Sequence, residues 1–232
     1  MEERYIRESL IIGNEGVEKL NNSKVAIFGI GGVGSFVAES LARAGIGTIA
    51  LIDGDRVATS NLNRQLVALE NTIGTEKVSV MEKRIMDINS SIKVVSHFEF
   101  YSKENADFID LSDYDFVVDA IDSVPSKILL IKTSDEKKVP IISCMGTGNR
   151  LDPTALIITD LFKTEGCPLA RKMRYELKKT GIKKLAVVFS KESPIRHSSV
   201  DKGNNTVGSI SFVPSCAGMI AASYVVKKLL EM

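Results

Sequence analysis

Gly29, Gly31, Gly32 and Gly34 stand in one short run, Gly29-Ile-Gly-Gly-Val-Gly-Ser35, between an apolar stretch and an amphipathic one. Glycines at this spacing let a backbone turn tightly and approach a phosphate closely. The helix that follows offers free N–H groups and a positive dipole end to the anion. Asp53 follows about twenty residues on, at the tip of the next apolar run, where a carboxylate can accept hydrogen bonds from ribose hydroxyls. Asp55 comes next, and then a polar loop in which Asn61, Asn63, Arg64 and Gln65 cluster many donors. Arg64, planar and always charged, can pair bidentately with phosphate oxygens. Lys77 falls in the first turn of a predicted helix, where its charge opposes the dipole, an odd choice for a purely structural residue. Asp119, Asp122 and Ser123 end a further apolar run at the same predicted sheet edge. Carboxylates beside a phosphate site suggest Mg²⁺, held through carboxylate, water and phosphate oxygens. Together these residues point to a nucleotide.

The elements that must position them are legible as alternating periodicities. Strands are predicted at 24–28, 48–52, 92–98, 115–119, 140–144, 184–190 and 208–212, with a turn and strand over 151–160. Helices are predicted at 36–44, 76–89, 105–111, 127–137, 168–179 and 219–230. In the second of these, Val78, Met81, Ile85 and Ile88 recur at helical spacing as a buried stripe. This alternation predicts an α/β fold: a Rossmann-like, three-layer α/β/α domain with a mostly parallel sheet and antiparallel strands added in the C-terminal half. The 232 residues read as one domain. It has an N-terminal helical arm (1–22), a nucleotide-binding half (23–150) and a C-terminal part (151–232).

Composition narrows the function classes. The hydrophobic fraction is 44% and the formal net charge +1, so the whole molecule is no obvious polyanion binder. No apolar run approaches the roughly 18 residues of a membrane span, and the first residues are too polar for a signal peptide. Cys144, Cys167 and Cys216 are isolated, without the C-x-x-C spacing of zinc sites, and read as reduced thiols of a cytoplasmic protein. Charge is uneven along the chain: residues 161–196 hold ten Lys or Arg against three Glu. Within this segment Arg171, Lys172, Arg174, Lys178 and Lys179 lie on one predicted helix. Arg171, Arg174 and Lys178 share its face, as a surface for a nucleic-acid backbone would require. A polar loop is predicted at 197–205.

Five motifs occur in order: Gly29-x-Gly-Gly-x-Gly-Ser35, Asp53-x-Asp55, Ser60-Asn-Leu-Asn-Arg-Gln65, Gly74-x-x-Lys77 and Asp119-x-x-Asp122. The set resembles the superfamily of ubiquitin-activating enzymes and the bacterial relatives that activate sulfur-carrier proteins. Ala42-Arg-Ala-Gly-Ile-Gly47, Asp119-Ala-Ile-Asp-Ser123, Asp152-Pro-Thr and Thr159-Asp-Leu161 bring it closest to the tRNA threonylcarbamoyladenosine dehydratase branch. The resemblance implies ATP and Mg²⁺ as cofactors and tRNA as substrate, with the threonyl carboxylate of a modified adenosine adenylated and then cyclised. It implies that Gly29, Gly31, Gly32 and Gly34 cradle phosphates, that Asp53 binds ribose, and that Asn61, Arg64 and Lys77 hold the triphosphate. Asp122 holds Mg²⁺ with Asp119 in support, and Asp55, Asn63, Gln65 and Ser123 belong to the same nucleotide site. Arg7 matches an N-terminal arginine that reaches into the partner's site, which implies a homodimer. Some members carry a cysteine-containing segment where this chain has Ser198 to Ser209 without one, so a sulfur-acceptor or cysteine-desulfurase partner is left open.

Three other readings compete. An NAD-dependent oxidoreductase fits the glycine turn and Asp53 equally well, but does not need Arg64 and Lys77 at the phosphate edge. An activator of a sulfur-carrier protein fits the motifs, but would carry zinc cysteines, and a basic segment would be idle for a small protein tail. A catalytically silent RNA-binding protein leaves the polar set without a purpose.

Overall fold

The computed structural model describes residues 2–195 and 207–232. Seven strands form one sheet: β1 (Lys24–Phe28), β2 (Thr48–Ile52), β3 (Lys93–His97), β4 (Phe116–Asp119), β5 (Ile141–Cys144), β6 (Leu156–Asp160) and β7 (Ala186–Ser190). Their order is β3-β2-β1-β4-β5-β7-β6. Neighbours run parallel except β6 and β7, which are antiparallel. The helices are α1 (Ile6–Asn21), α2 (Gly34–Arg43), α3 (Lys77–Ile88), α4 (Val124–Lys137), α5 (Pro168–Lys178) and α6 (Phe212–Leu229).

Alternation along the strands builds the layers. Val25 and Ile27 of β1 face a core shared with Leu41 of α2, Met81 and Ile85 of α3, and Ala217 and Val225 of α6. Ala26 and Phe28, the intervening residues, face a second core with Tyr101, Leu111 and Leu130 of α4. On that same side α5 buries Met173 and Leu177 against Val187 and Phe189 of β7. Each fully buried large apolar side chain contributes about 1.5–3 kcal/mol relative to exposure. The result is the three-layer α/β/α arrangement expected. From β1 the chain builds outward through β2 and β3 on one side, then through β4 and β5 on the other. The C-terminal ends of β1 and β4 therefore flank the switch point, where open α/β sheets place ligands.

Two expected elements are different. The helix expected at 105–111 is replaced by single turns, Ala106–Phe108 and Leu111–Asp113. Asn105 Oδ1 accepts from the Ser102 N–H at 2.9 Å and Asp110 Oδ1 from the Ser112 N–H at 3.0 Å, and such local bonds compete with a helix. The strand expected at 208–212 is absent, and α6 begins at Phe212 instead of 219. Pro214 sits in its first turn, where no intrahelical N–H bond is required. Gly218, which reads as a turn residue, is a packing residue: a Cβ there would lie 2.4 Å from the Val33 carbonyl oxygen. Arg196 and the loop expected at 197–205 lie outside the described residues.

The N-terminal arm is helical as expected, but kinked at Gly13, whose φ of 73° few side chains adopt. Tyr5 anchors the arm, its hydroxyl accepting from Asn89 Nδ2 at 2.7 Å. Ahead of the kink, Leu10 is 83% exposed and Ile11 80%. Among the described residues no helix is long and apolar enough to cross a membrane.

Candidate active site

The glycine turn follows β1 and is locked against the loop after β4. Gly29 has φ 90°, and a Cβ there would lie 2.6 Å from the Ala120 carbonyl oxygen. A Cβ on Gly34, the first residue of α2, would lie 1.7 Å from the Gly29 carbonyl oxygen, so no larger residue closes this turn. Among the described residues the Gly31 and Gly32 amides donate no hydrogen bond within the chain, as an anion cradle needs. Asp53, just past β2, holds the turn: its Oδ2 accepts from the Ile30 N–H at 2.6 Å and its Oδ1 from the Asp55 N–H at 2.8 Å. Burial pushes the Asp53 carboxyl up, against the opposing pull of Lys77 and these two amides.

Lys77 and Arg64 supply positive charge on the side of β2. Lys77 opens α3 with its side chain only 6% exposed, and its Nζ lies 2.7 Å from Asp55 Oδ2. Its backbone N–H also donates to the Asp55 carbonyl at 3.1 Å. That partner explains how a lysine is tolerated at the positive end of a helix dipole. Arg64 Nη1 donates to the Ser60 carbonyl at 2.8 Å and Asn63 Oδ1 at 2.9 Å. The Arg64 stem lies on the glycine turn, since a Cβ on Gly32 would be 3.4 Å from Arg64 Cγ. Asn61 is buried, its Oδ1 accepting from the Ala58 N–H at 3.1 Å. Asn63 Nδ2 donates to the Ser209 carbonyl at 2.9 Å, which brings the approach to α6 over the site. Gln65 Nε2 is 3.7 Å from where a Gly31 Cβ would stand, while Gln65 Oε1 is buried without a partner among the described residues. An orphaned acceptor beside the cradle is a place for a ligand donor.

The acidic loop separates two roles that spacing alone merges. Asp119 is not placed to support a metal ion, because its carboxylate points into the protein at 0% exposure. It accepts from Lys127 Nζ at 3.0 Å, Ser143 Oγ at 2.5 Å and the Ile121 N–H at 3.1 Å. Lys127 Nζ also donates to the Ile121 carbonyl at 2.9 Å, so the buried pair shapes the loop that presents Asp122. Asp122 and Ser123 are exposed, and Ser123 leads into α4. Among the described residues no cluster of three or more metal-binding side chains occurs. One exposed carboxylate suits Mg²⁺, which completes its shell with phosphate oxygens and water. Arg7 is exposed on the arm and takes part in none of these contacts. Nothing in sequence spacing marks Lys127, a lysine in the first turn of an otherwise ordinary helix.

The basic helix starts at the same edge. A Cβ on Gly146, just past β5, would be 3.8 Å from Cys167 Sγ and from Leu169 Cβ, so α5 begins there and runs away from it. Arg171, Lys172, Lys178 and Lys179 are exposed. Arg174 is not on the open face: it is half-buried, and its Nη1 donates to the Thr164 carbonyl at 2.8 Å and to Thr164 Oγ1. Lys179 pairs with Glu176 at 3.0 Å and lies 4.0 Å from the Tyr175 ring centroid.

The chain is similar to known proteins over nearly its whole length. The ThiF family signature matches residues 4–232. The chain is 43% identical to the tRNA threonylcarbamoyladenosine dehydratase of Bacillus subtilis (strain 168), over 98% of this chain and 95% of the relative. Crystal structures of the Escherichia coli tRNA N6-threonylcarbamoyladenosine dehydratase TcdA in complex with AMP and with ATP match with TM-scores of 0.91 and 0.90. Their identities are 35% and 36%, each over 98% of this chain and 94% of theirs. With that signature covering nearly the whole length, and the fold shared with TcdA, the chain belongs to the ThiF family.

Proposed function

We propose that this chain is an ATP-dependent tRNA threonylcarbamoyladenosine dehydratase. The observation that carries the reading is the juxtaposition at one sheet edge of an anion-cradling glycine turn with Arg64 lying directly on it. The near full-length relatives that bear this name supply the substrate. A dinucleotide oxidoreductase has no use for Arg64 and Lys77 there.

The site residues divide the work. The free amides of Gly31 and Gly32 and the start of α2 bind phosphate oxygens. Asp53 fixes the turn and offers its remaining lone pairs to ribose. Arg64 and Lys77 stabilise charge that builds on the α-phosphate as a substrate carboxylate oxygen attacks and pyrophosphate leaves. Mg²⁺ held at Asp122 would neutralise phosphate charge. The activated carbonyl then closes into a ring within the nucleoside, with AMP as leaving group. An internal nucleophile needs no enzyme thiol; burial pushes the Cys144 thiol up to about 12, and Cys167 is buried.

Arg171, Lys172, Lys178 and Lys179 form the tRNA-backbone surface, leading away from the nucleotide edge. Arg7, exposed beside Leu10 and Ile11, serves the site of a second copy, and the exposed apolar pair gives that homodimer a contact. A tRNA substrate supports a cytoplasmic setting. The test is incubation with ATP, Mg²⁺ and tRNA bearing threonylcarbamoyladenosine, followed by mass spectrometry of the digested nucleosides. The modified nucleoside should lose one water; an unchanged mass together with no AMP released would reject the reading.

A further inference from the structure

We infer that Arg150 is an oxyanion receptor for the acceptor substrate, a site separate from the nucleotide cradle. Arg150 is only 5% exposed, yet its Nε and Nη1 are shielded from solvent and have no hydrogen-bond partner among the described residues. A guanidinium cannot escape burial by losing its proton. A buried charge without a counter-ion is costly, and proteins compensate such groups. Among the described residues no carboxylate lies in ion-pair range of it. The nearest acid along the loop, Glu192, is engaged by backbone: its Oε1 and Oε2 each accept from the Leu151 N–H at 3.0 Å, and Oε2 from the Asp152 N–H at 2.9 Å.

The position of Arg150 indicates what the missing counter-ion is. After β5 the chain crosses the C-terminal end of β7 before turning into β6. Met145 N–H bonds Val188 O at 2.9 Å, Ile195 N–H bonds Asn149 O at 2.8 Å, and Lys191 N–H bonds Ala155 O at 3.0 Å. Asn149 and Gly208 clasp this crossing from the other side, with the Asn149 N–H to Gly208 O at 2.8 Å and the Gly208 N–H to Asn149 Oδ1 at 2.7 Å. Arg150 thus belongs to the ligand edge, at β7. Strand spacing puts it about 10 Å from the end of β4 and about 14 Å from β1. That is too far to serve the phosphates on the glycine turn. The same stretch, through Ser209, touches Asn63 of the nucleotide loop. The anion is either the carboxylate of the modified nucleoside or a backbone phosphate of the RNA that carries it. This assignment of the acceptor rests on the proposed function; the anion site itself does not.

The test uses full-length wild type and Arg150→Met, with Arg150→Lys as the conservative variant. Three measurements are made: thermal unfolding with and without inorganic phosphate, affinity for one tRNA with and without the threonylcarbamoyl group, and affinity for ATP. A receptor arginine predicts that Arg150→Met melts no lower than wild type and loses the phosphate-induced stabilisation. It also predicts about tenfold or greater loss of tRNA affinity, the size of a broken charged pair, with ATP affinity unchanged. Arg150→Lys should restore part of it. Loss confined to the modified tRNA assigns the carboxylate; equal loss on both tRNAs assigns the phosphate. A lower melting point with unchanged phosphate response and tRNA affinity would make Arg150 a packing residue and overturn the inference. Should wild type itself ignore modified tRNA, the proposed function fails, and the phosphate titration still decides for or against the anion site.

Discussion

Lys127 Nζ and the Asp119 carboxylate meet at 3.0 Å with neither side chain exposed at all. Lys127 also binds the Ile121 carbonyl, so the pair fixes the backbone just ahead of Asp122. Removing one partner leaves the other charged and buried, and Lys127→Ala should destabilise by about 3–5 kcal/mol. The double variant Asp119→Asn, Lys127→Met removes both charges and should recover most of that stability. It should not recover ATP turnover, because the Ile121 carbonyl then loses its Lys127 anchor. Denaturant titration beside an AMP-release assay checks the split; full activity in a stable double variant would mean that the loop needs no anchor.

Arg64 is partly exposed and, among the described residues, bonds only within its own turn. Arg64→Ala should therefore keep the melting temperature within a few degrees. Turnover should fall by about 10²-fold or more, the loss typical of one preorganised charge stabiliser. Lys77→Ala should lose turnover similarly. Near wild-type rates in both would remove these residues from the catalytic account.

Glu39 of α2 accepts from Arg84 Nε at 2.7 Å and from Arg43 Nε at 2.9 Å, tying α2 to α3. Burial alone would raise its carboxyl; the two arginines overcome this and hold it below the ordinary glutamate range. A carboxyl lowered by folding stabilises above its unfolded pKa and loses that contribution as pH falls through the folded one. Glu39→Gln should thus destabilise at neutral pH by less than about 1 kcal/mol, since both arginines are exposed and screened. The deficit should vanish in acid. Urea midpoints of both proteins across pH check the sign, and a deficit that grows in acid contradicts it.

Cys144 is buried and its thiol raised to about 12, so it is not a nucleophile at neutral pH. Replacing Cys144, Cys167 and Cys216 together by Ala should leave most of the AMP release. Loss of turnover in a folded triple variant would reveal a thiol step.

The sheet and the nucleotide edge were legible because their signals are local. Gly29 to Gly34 must be small at fixed spacing, and the strands around them alternate or run apolar as burial demands. What failed was set by tertiary contact. Gly218 and Pro214 read as turn residues, yet one lets α6 lie on Val33 and the other occupies a helix start. Asp119 and Asp122 read alike, and only the position of Lys127 across the loop separates the buried anchor from the exposed carboxylate. Arg174 was expected on an open stripe by helical spacing, but the Thr164 turn, ten residues earlier, captures it.

That capture sharpens the prediction for the basic helix. Arg171, Lys172 and Lys178 are exposed on α5, whereas Arg174 is tied to Thr164 and Lys179 to Glu176. The free three should carry more of the phosphate contact, which is salt-dependent and indifferent to sequence. Changing Arg171, Lys172 and Lys178 to Glu should weaken tRNA binding and flatten its dependence on salt, by roughly one in log–log slope per lost contact. Arg174→Glu should instead lower the melting temperature, since it breaks the helix from its preceding turn. ATP affinity should be unchanged in the triple variant, because the nucleotide cradle lies between β1 and β4 while α5 packs beside β7. If α5 only keeps the molecule soluble, the triple variant will bind tRNA with the wild-type slope. Filter binding across a salt series, with ATP calorimetry as control, distinguishes the two, and an unaltered slope would move the RNA surface off this helix.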